Sequence, residues 1–285
     1  MGKASALRKA AGLAAGLALF WAQASGAAPS APALAATQQI LETERAFAQT
    51  VAQTGIAPGF RQFAAPDAVM FDPDPMPAGA LLEKAHWPGD LLWRPQFVGA
   101  AGSGDLGFSA GPSVLRIGGK ASGGYYLTIW KRVDGTFKFL LDHGVDMPAA
   151  LFAAAPQVPA MVDATPTGSA ALEGMREADG AFNIALPKDA GTAYENRLDT
   201  QGFVVRANRA VGAGKHNALA LVQESPPILE AFTLGGGLSA DGGFGYAWGR
   251  ARWSAAIGAQ NGYYVRVWRS TPQGWRLLAD QLGER

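Results

Sequence analysis

Asp142 and His143 stand side by side in the chain. An imidazole beside a carboxylate is a pairing that supplies an acid and a base near neutral pH. Neighbours on a regular strand point to opposite faces, so only one of the two reaches a given cavity unless a bulge intervenes. The alternative role for Asp142 is structural, ending its strand through hydrogen bonds or a salt bridge. Seventeen residues upstream begins Tyr125-Tyr126-Leu127-Thr128-Ile129-Trp130. Strand alternation puts Tyr126, Thr128 and Trp130 on one face and Tyr125, Leu127 and Ile129 on the other. The first set has polar handles suited to a cavity with a few oriented hydrogen bonds. Asp142, His143 and Tyr126 are therefore the candidate catalytic residues, and Trp93, Tyr126, Trp130 and Asp142 the candidate ligand-binding set.

Other patterns imitate active-site motifs. Gly107-Phe-Ser109-Ala-Gly111 spells the G-x-S-x-G of a nucleophile elbow, but that chemistry needs the serine on a sharp strand-to-helix turn. Here Pro112 follows at once, and Ile117 to Gly124 reads as a flexible turn. Overlapping it, Gly102 to Gly107 spells G-x-G-x-x-G; a strand follows rather than a helix, so it reads as a hairpin turn and not a dinucleotide site. His86, His143 and His216 are far apart and show no metal-ligand spacing, so no metal and no cofactor are expected.

Composition narrows the classes further. The chain has 285 residues, of which 48% are apolar and 16% charged, with a formal net charge of +1. That balance argues against disorder and against a nucleic-acid partner. The 37 glycines and 18 prolines point to many turns and strands. With no cysteine, disulfides, zinc thiolates and cysteine nucleophiles are excluded.

The N-terminus reads as an address. Lys3, Arg8 and Lys9 precede an apolar run from Ala10 to Ala22, about 13 residues and too short to span a bilayer. Ala22-Gln23-Ala24 fits a cleavage site, with Ala27 or Ala28 as further positions. Residues 1–24 are thus expected to be a signal peptide and 25–36 a disordered leader. Losing three basic residues from 24 against 23 acidic ones gives the mature chain a net charge of −2. A periplasmic or secreted protein without a membrane association after cleavage is expected.

The chain is also written twice. Gly104 to Gly111 matches Gly242 to Gly249, Gly124 to Trp130 matches Gly262 to Trp268, and Phe137 to Asp142 matches Trp275 to Asp280, all at an offset of 138. Glu42-Thr-Glu-Arg-Ala-Phe47 matches Glu177-Ala-Asp-Gly-Ala-Phe182 at 135. The units are 37–148 and 168–285, with an Ala- and Pro-rich, semi-extended linker at 149–167. The second copy offers Tyr264, Arg266, Trp268 and Asp280 as its ligand-binding set. It replaces His143 by Gln281, and its Arg266 points to an anionic or carboxylated ligand.

Each copy reads as helices first, strands later. The first copy has a helix through Ile40, Phe47 and Val51 ending at Gly55, a short helix at Phe60 and Phe63, a strand at Ala68–Phe71, and a helix at Ala78–Lys84. Strands follow at 91–98, 104–110, 124–132 and 136–143, with a hairpin at Asp134-Gly135. Helices packed on an antiparallel meander make an α+β class.

With its opening Glu42-Thr-Glu-Arg-Ala-Phe47, the strand Asp67-Ala-Val-Met-Phe71, the strand Gly124–Trp130 and the ending Asp134–Gly144, each repeat resembles the nuclear transport factor 2-like superfamily, in its SnoaL-like, domain-of-unknown-function 4440 branch. In repeat two the middle, 186–240, has drifted. The resemblance implies two tandem cone-shaped domains, each with helices on a curved antiparallel sheet, pairing through their sheets as an intrachain pseudo-dimer and hence a monomer. It also implies a small-molecule ligand, binding of an apolar or amphipathic molecule in a cone, isomerase, cyclase or dehydratase chemistry through a carboxylate, or a non-catalytic interaction module.

Overall fold

The computed structural model of the chain describes residues 30–163, 172–256 and 258–285. The expected signal peptide lies outside the described residues. The first half runs α1 (Ala31–Thr54), α2 (Ile56–Phe63), β1 (Ala64–Phe71), β2 (Pro75–Pro77), α3 (Ala78–Lys84), β3 (Asp90–Trp93), β4 (Phe97–Ala100), β5 (Leu106–Ile117), β6 (Lys120–Val133) and β7 (Thr136–Met147). Then come α4 (Ala150–Ala154) and β8 (Ala160–Met161). The second half runs α5 (Leu172–Ala185), α6 (Ala190–Arg197), β9 (Leu198–Arg206), β10 (Gly212–Ala213), α7 (Gly214–Glu224), β11 (Ile228–Leu238), β12 (Phe244–Ser254), β13 (Ala259–Thr271) and β14 (Gly274–Glu284). The class is α+β, with one sheet and its helices in each half. The region 186–240 drifted in sequence, yet it still supplies a helix, a strand parallel to the last strand, a further helix and an edge strand, as the first half does.

Several expectations need correction. The leader is ordered from residue 30 onward: the Ser30 hydroxyl accepts the Ala33 amide, Pro32 sits in the first turn, and Ala33 and Ala36 are buried. An Ala/Pro/Ser composition there caps and starts a helix. The linker at 149–167 is not semi-extended throughout, since it contains α4 and adds β8 to the edge of β4. The strand expected at 91–98 is two strands, because Pro95 has no amide to give and the chain bulges onto Gly111. The turn expected over 117–124 is confined to Gly118-Gly119, both at positive φ, and β5 and β6 extend to it.

The sheets share one plan, β2-β1-β7-β6-β5-β4-β8 in the first half and β10-β9-β14-β13-β12-β11 in the second. β1 runs parallel to β7, and β9 parallel to β14. A register shift falls at Ile129/Trp130 and again at Val267/Trp268, the same place in each copy. One face of each sheet carries the helices: Trp130 and Phe139 pack with Ile40, Phe47 and Val51 of α1. On the other face Tyr125, Leu127 and Ile129 share a core with Phe203, Val265 and Val267 of the second half. Burial of both sheets' apolar faces against each other supplies the driving force for their packing. Equivalent residues meet on the pseudo-two-fold axis: the Ser103 amide donates to Asp241, and Gln281 pairs with His143. Among the described residues no helix is long and apolar enough to cross a membrane.

Candidate functional site

The long helix of each half carries one acid into its apolar stripe. In α1 the buried face is Ile40, Glu44, Phe47 and Val51, and in α5 it is Met175, Asp179 and Phe182, continued by Leu186 just beyond the helix. These residues match one for one at an offset of 135. Glu44, only 2% exposed, is held from both oxygens: Trp93 Nε1 donates to Oε2 at 2.7 Å, and the Ser109 hydroxyl donates to Oε1. Trp130 Nε1 donates in turn to Ser109 Oγ at 2.7 Å. Asp142, half-buried on β7, accepts the Thr128 hydroxyl at 2.5 Å.

No lysine or arginine among the described residues pairs with either acid. Burial therefore dominates. It pushes Glu44 up to about 7, against the hydrogen bonds of Ser109 and Trp93 and with a small contribution from the Asp142 charge. It pushes Asp142 up to about 6, opposed by the Thr128 hydrogen bond. The Tyr126 hydroxyl is buried beside them, facing Glu44 and Ser109. Burial, then the neighbouring Glu44, raises its pKa well above the phenol range, so it stays a neutral donor. A pair of carboxyls that titrate near neutrality, with a neutral phenol alongside, has the chemistry to give and take a proton.

The second half has the same positions and a different electrostatic solution. Arg266, which replaces Thr128, donates from Nε to Asp280 Oδ1 at 2.6 Å and from Nη1 to Asp179 Oδ1 at 2.9 Å and Asn183 Oδ1 at 2.7 Å. Arg206 donates to Asp280 Oδ2 at 2.7 Å and to the Tyr194 hydroxyl at 2.6 Å. Tyr264 and Trp268 both donate to Asp179, at 2.9 and 3.2 Å. Burial alone would raise Asp280; Arg206 and Arg266 overcome it and hold the acid at about 2. This corrects the expectation that Arg266 awaits an anionic ligand, because its charge is already spent on two buried aspartates.

The structure gathers Trp93, Tyr126, Trp130 and Asp142 on the helix-covered side of the first sheet, and Tyr264, Arg266, Trp268 and Asp280 on that of the second. His143 is not with them. It is 3% exposed on the opposite face, in contact with Gln281, and burial lowers it to about 3. Ser109 sits mid-strand in β5, so the G-x-S-x-G has no elbow geometry, yet the serine serves as a donor to Glu44. The sequence reading passed over Glu44 and Asp179. The available signal was an acid recurring at the same point of an otherwise apolar 3.6-residue stripe in both copies.

No family model matches the chain, and no curated protein matches it. Among solved structures it is similar to an NTF2-like protein with a cystatin-like fold from Novosphingobium aromaticivorans, at 16% identity over 39% of this chain and 80% of that one, with a TM-score of 0.32. A candidate dehydratase of the NTF2-like family from Streptomyces avermitilis is 18% identical over 40% of this chain and 96% of its own, with a TM-score of 0.33. An NTF2-like protein of unknown function from Shewanella oneidensis MR-1 is 10% identical over 39% and 97%, also at 0.33.

Proposed function

We propose that the first half binds a small, largely apolar molecule on the helix-covered side of its sheet and moves a proton on it through Glu44 and Asp142, with Tyr126 as the hydrogen-bond donor. The reaction class is isomerase, cyclase or dehydratase chemistry, in which a carbon-bound proton is removed and returned or lost with a leaving group. The second half is a non-catalytic copy that completes the sheet-to-sheet packing. The protein works as a monomer in an exported compartment.

One observation carries this reading: a buried glutamate and a half-buried aspartate without a cation, beside a buried phenolic hydroxyl. Structural acids are normally neutralised as they are in the second half, whereas acid–base groups are tuned toward working pH. Binding without chemistry is the second reading, favoured by the fact that both oxygens of Glu44 already have donors.

A β,γ-unsaturated cyclic ketone, 3-cyclohexenone, separates the two. Its conversion to 2-cyclohexenone takes a proton from C2 and returns one at C4, and the conjugated product is read by its absorbance. The expected result is accelerated conversion that falls by about 10²-fold or more in Glu44→Gln, in keeping with general acid–base contributions. Native mass spectrometry showing a retained small molecule, with no turnover, selects binding alone. Neither turnover nor a retained molecule sinks both readings.

A further inference from the structure

The pseudo-two-fold axis makes two equivalent seams between the halves, and they are finished differently. In the first seam the β4–β5 edge of sheet one meets β9 and β14 of sheet two. Phe97 stacks on Phe203 at 4.3 Å, with Phe108 at 6.2 Å from the same ring. The seam is then closed by the chain itself. β8 adds to β4 as a short parallel strand, with the Ala160 amide donating to Gln96 O and the Val162 amide to Val98 O, each at 2.8 Å. Val162 is 7% exposed within the shared core, and Asp163 pairs with Arg269 at 3.6 Å.

The second seam sets β11 and β12 against β1 and β7. Register matches fix the equivalents: Phe97 corresponds to Gly235, Val98 to Gly236, Phe108 to Tyr246, Phe203 to Val69 and Arg269 to Lys131. The Phe97–Phe203 stack of the first seam thus becomes a glycine and a valine, while Ala110 becomes Trp248, whose indole lies against Gly235. A Cβ on Gly235 would run into the Trp248 indole, so no larger residue fills the space from that strand. Among the described residues no strand pairs with the outer edge of β11. A depression of about 290 Å³ remains, lined by Val69, Leu141, Tyr246 and Trp248, with Lys131, Asp67 and Asp105 at its charged positions.

We propose that this second seam is a docking groove for an extended polypeptide segment of a partner protein, built like this chain's own Ala160-Met161-Val162-Asp163. The segment adds as a short strand to the Gly235–Gly236 edge, seats a small branched apolar side chain in the depression, and places the acid that follows it on Lys131. The first seam is the template for each of these features: the edge carbonyls, the buried Val162 and the Asp163–Arg269 pair. As Arg269 in the filled seam is held to Asp199 while it also meets Asp163, Lys131 is held to Asp67 by a surface pair at 3.2 Å whose members are 44% and 61% exposed. Such a pair is weak and exchanges readily for another carboxylate. Register shifts flank the stretch Glu230 to Thr233 of β11, which break the edge for long pairing and leave a short one. Strand addition of this kind draws affinity from main-chain hydrogen bonds and specificity from alternate side chains. The groove is independent of the chemistry in the first half.

The probe is an end-blocked peptide of residues 158–165, Val-Pro-Ala-Met-Val-Asp-Ala-Thr, titrated into the whole protein with amide shifts as the readout. The tethered copy keeps the first seam occupied through its high effective concentration. The expected result is saturable binding with shifts at Gly235 to Leu238 and around Lys131. Lys131→Glu should weaken it roughly ten-fold, and a peptide with Lys at its Asp163 position should recover that loss on Lys131→Glu. N-methylation of the peptide's Val162 amide, which donates to the edge carbonyl in the filled seam, should abolish binding without touching the protein. Absence of binding, shifts confined to the first seam, or binding indifferent to both Lys131→Glu and the N-methyl group overturns the proposal.

Discussion

The helix-covered faces of the two sheets meet one problem, a pair of acids set under a helix, and resolve it in opposite ways. In the first half protons do the work: Glu44 and Asp142 are pushed up to about 7 and about 6. In the second, guanidinium groups do: Arg266 bridges Asp179 and Asp280, Arg206 backs Asp280, and Asp280 falls to about 2. Two positions account for the difference: Arg206, and Arg266 where the first copy has Thr128. Neutralisation by a cation locks the charge state and fills the space, with Arg266 stacked over the Tyr264 ring at 3.8 Å. Neutralisation by a proton leaves a state that changes with pH and with what is bound. The lesson is that one duplicated framework holds its acids in two ways, by cations in one copy and by protons in the other.

The largest effect should come from breaking the cation lock. Arg266→Leu leaves Asp179 without its ion pair and Asp280 with only Arg206, and removing one partner of a buried pair costs about 3–5 kcal/mol. Thr128→Val at the equivalent position removes one hydrogen bond and should cost about 1 kcal/mol. Urea denaturation of both variants at pH 7 measures the gap. Equal losses would mean that the two halves are not electrostatically different.

Next comes pH. The folded-state value of Glu44 lies above its unfolded value, so between pH 4.5 and about 7 the folded chain holds more protons than the unfolded one. Unfolding free energy must then fall as pH rises through that window. A shift from 4.5 to about 7 corresponds to about 3 kcal/mol. Asp142 acts in the same direction between 3.8 and about 6. Asp280 acts the other way: its contribution is present above 3.8 and disappears as pH falls toward about 2. Stability measured from pH 4.5 to 8 should decline in the wild type up to about pH 7, and in Glu44→Gln the smaller decline left by Asp142 should end near pH 6. A flat wild-type curve would remove the contrast.

A smaller effect should follow from Ser109→Ala, which makes the first half resemble the second at Ala247. The hydroxyl donates to Glu44 and favours its charged form, so its loss should move the Glu44 titration further up, by about 1 kcal/mol of interaction. Carboxyl-carbon NMR reads this directly. A downward movement would show that the serine does not stabilise the carboxylate.

How far the sequence anticipated these contrasts depends on where the physics is local. The repeat offsets, the Gly55 stop, α3 and the Asp134-Gly135 hairpin were legible because turn residues and periodicity act over a few residues. The clustering of Tyr126, Trp130 and Asp142 followed from strand alternation plus the repeat. Glu44 was not found, since an acid in a helix is ordinarily read as a solvated face, and only superposing the copies reveals that position as buried in both. Arg266 was misread for a related reason. Its partners Asp179 and Asp280 lie 87 and 14 residues away, and sequence does not display which acids a guanidinium will meet. Nor could composition show that residues 160–163 close a seam instead of linking domains.

The smallest effect should belong to His143→Gln, although His143 was the most chemical-looking residue of the sequence. Gln281 Nε2 donates to the His143 carbonyl at 2.7 Å and lies 3.0 Å from Nδ1. An amide NH₂ can only donate, so Nδ1 is the acceptor and the ring proton is on Nε2. Burial lowers the imidazole to about 3, so it stays neutral throughout the range where Glu44 and Asp142 titrate. It also lies across the sheet from Asp142, because neighbours on β7 face opposite ways. Glutamine would make the axis pair symmetric and offer a donor to Gln281 Oε1, which is buried without one. The edge contact of the ring with Phe71, at 4.7 Å between centroids, would be lost in exchange. These changes oppose each other, so stability should move by less than about 1 kcal/mol and ketone conversion should be unchanged. A fall in conversion comparable to that of Glu44→Gln would place the working acid–base pair between the sheets and not under α1.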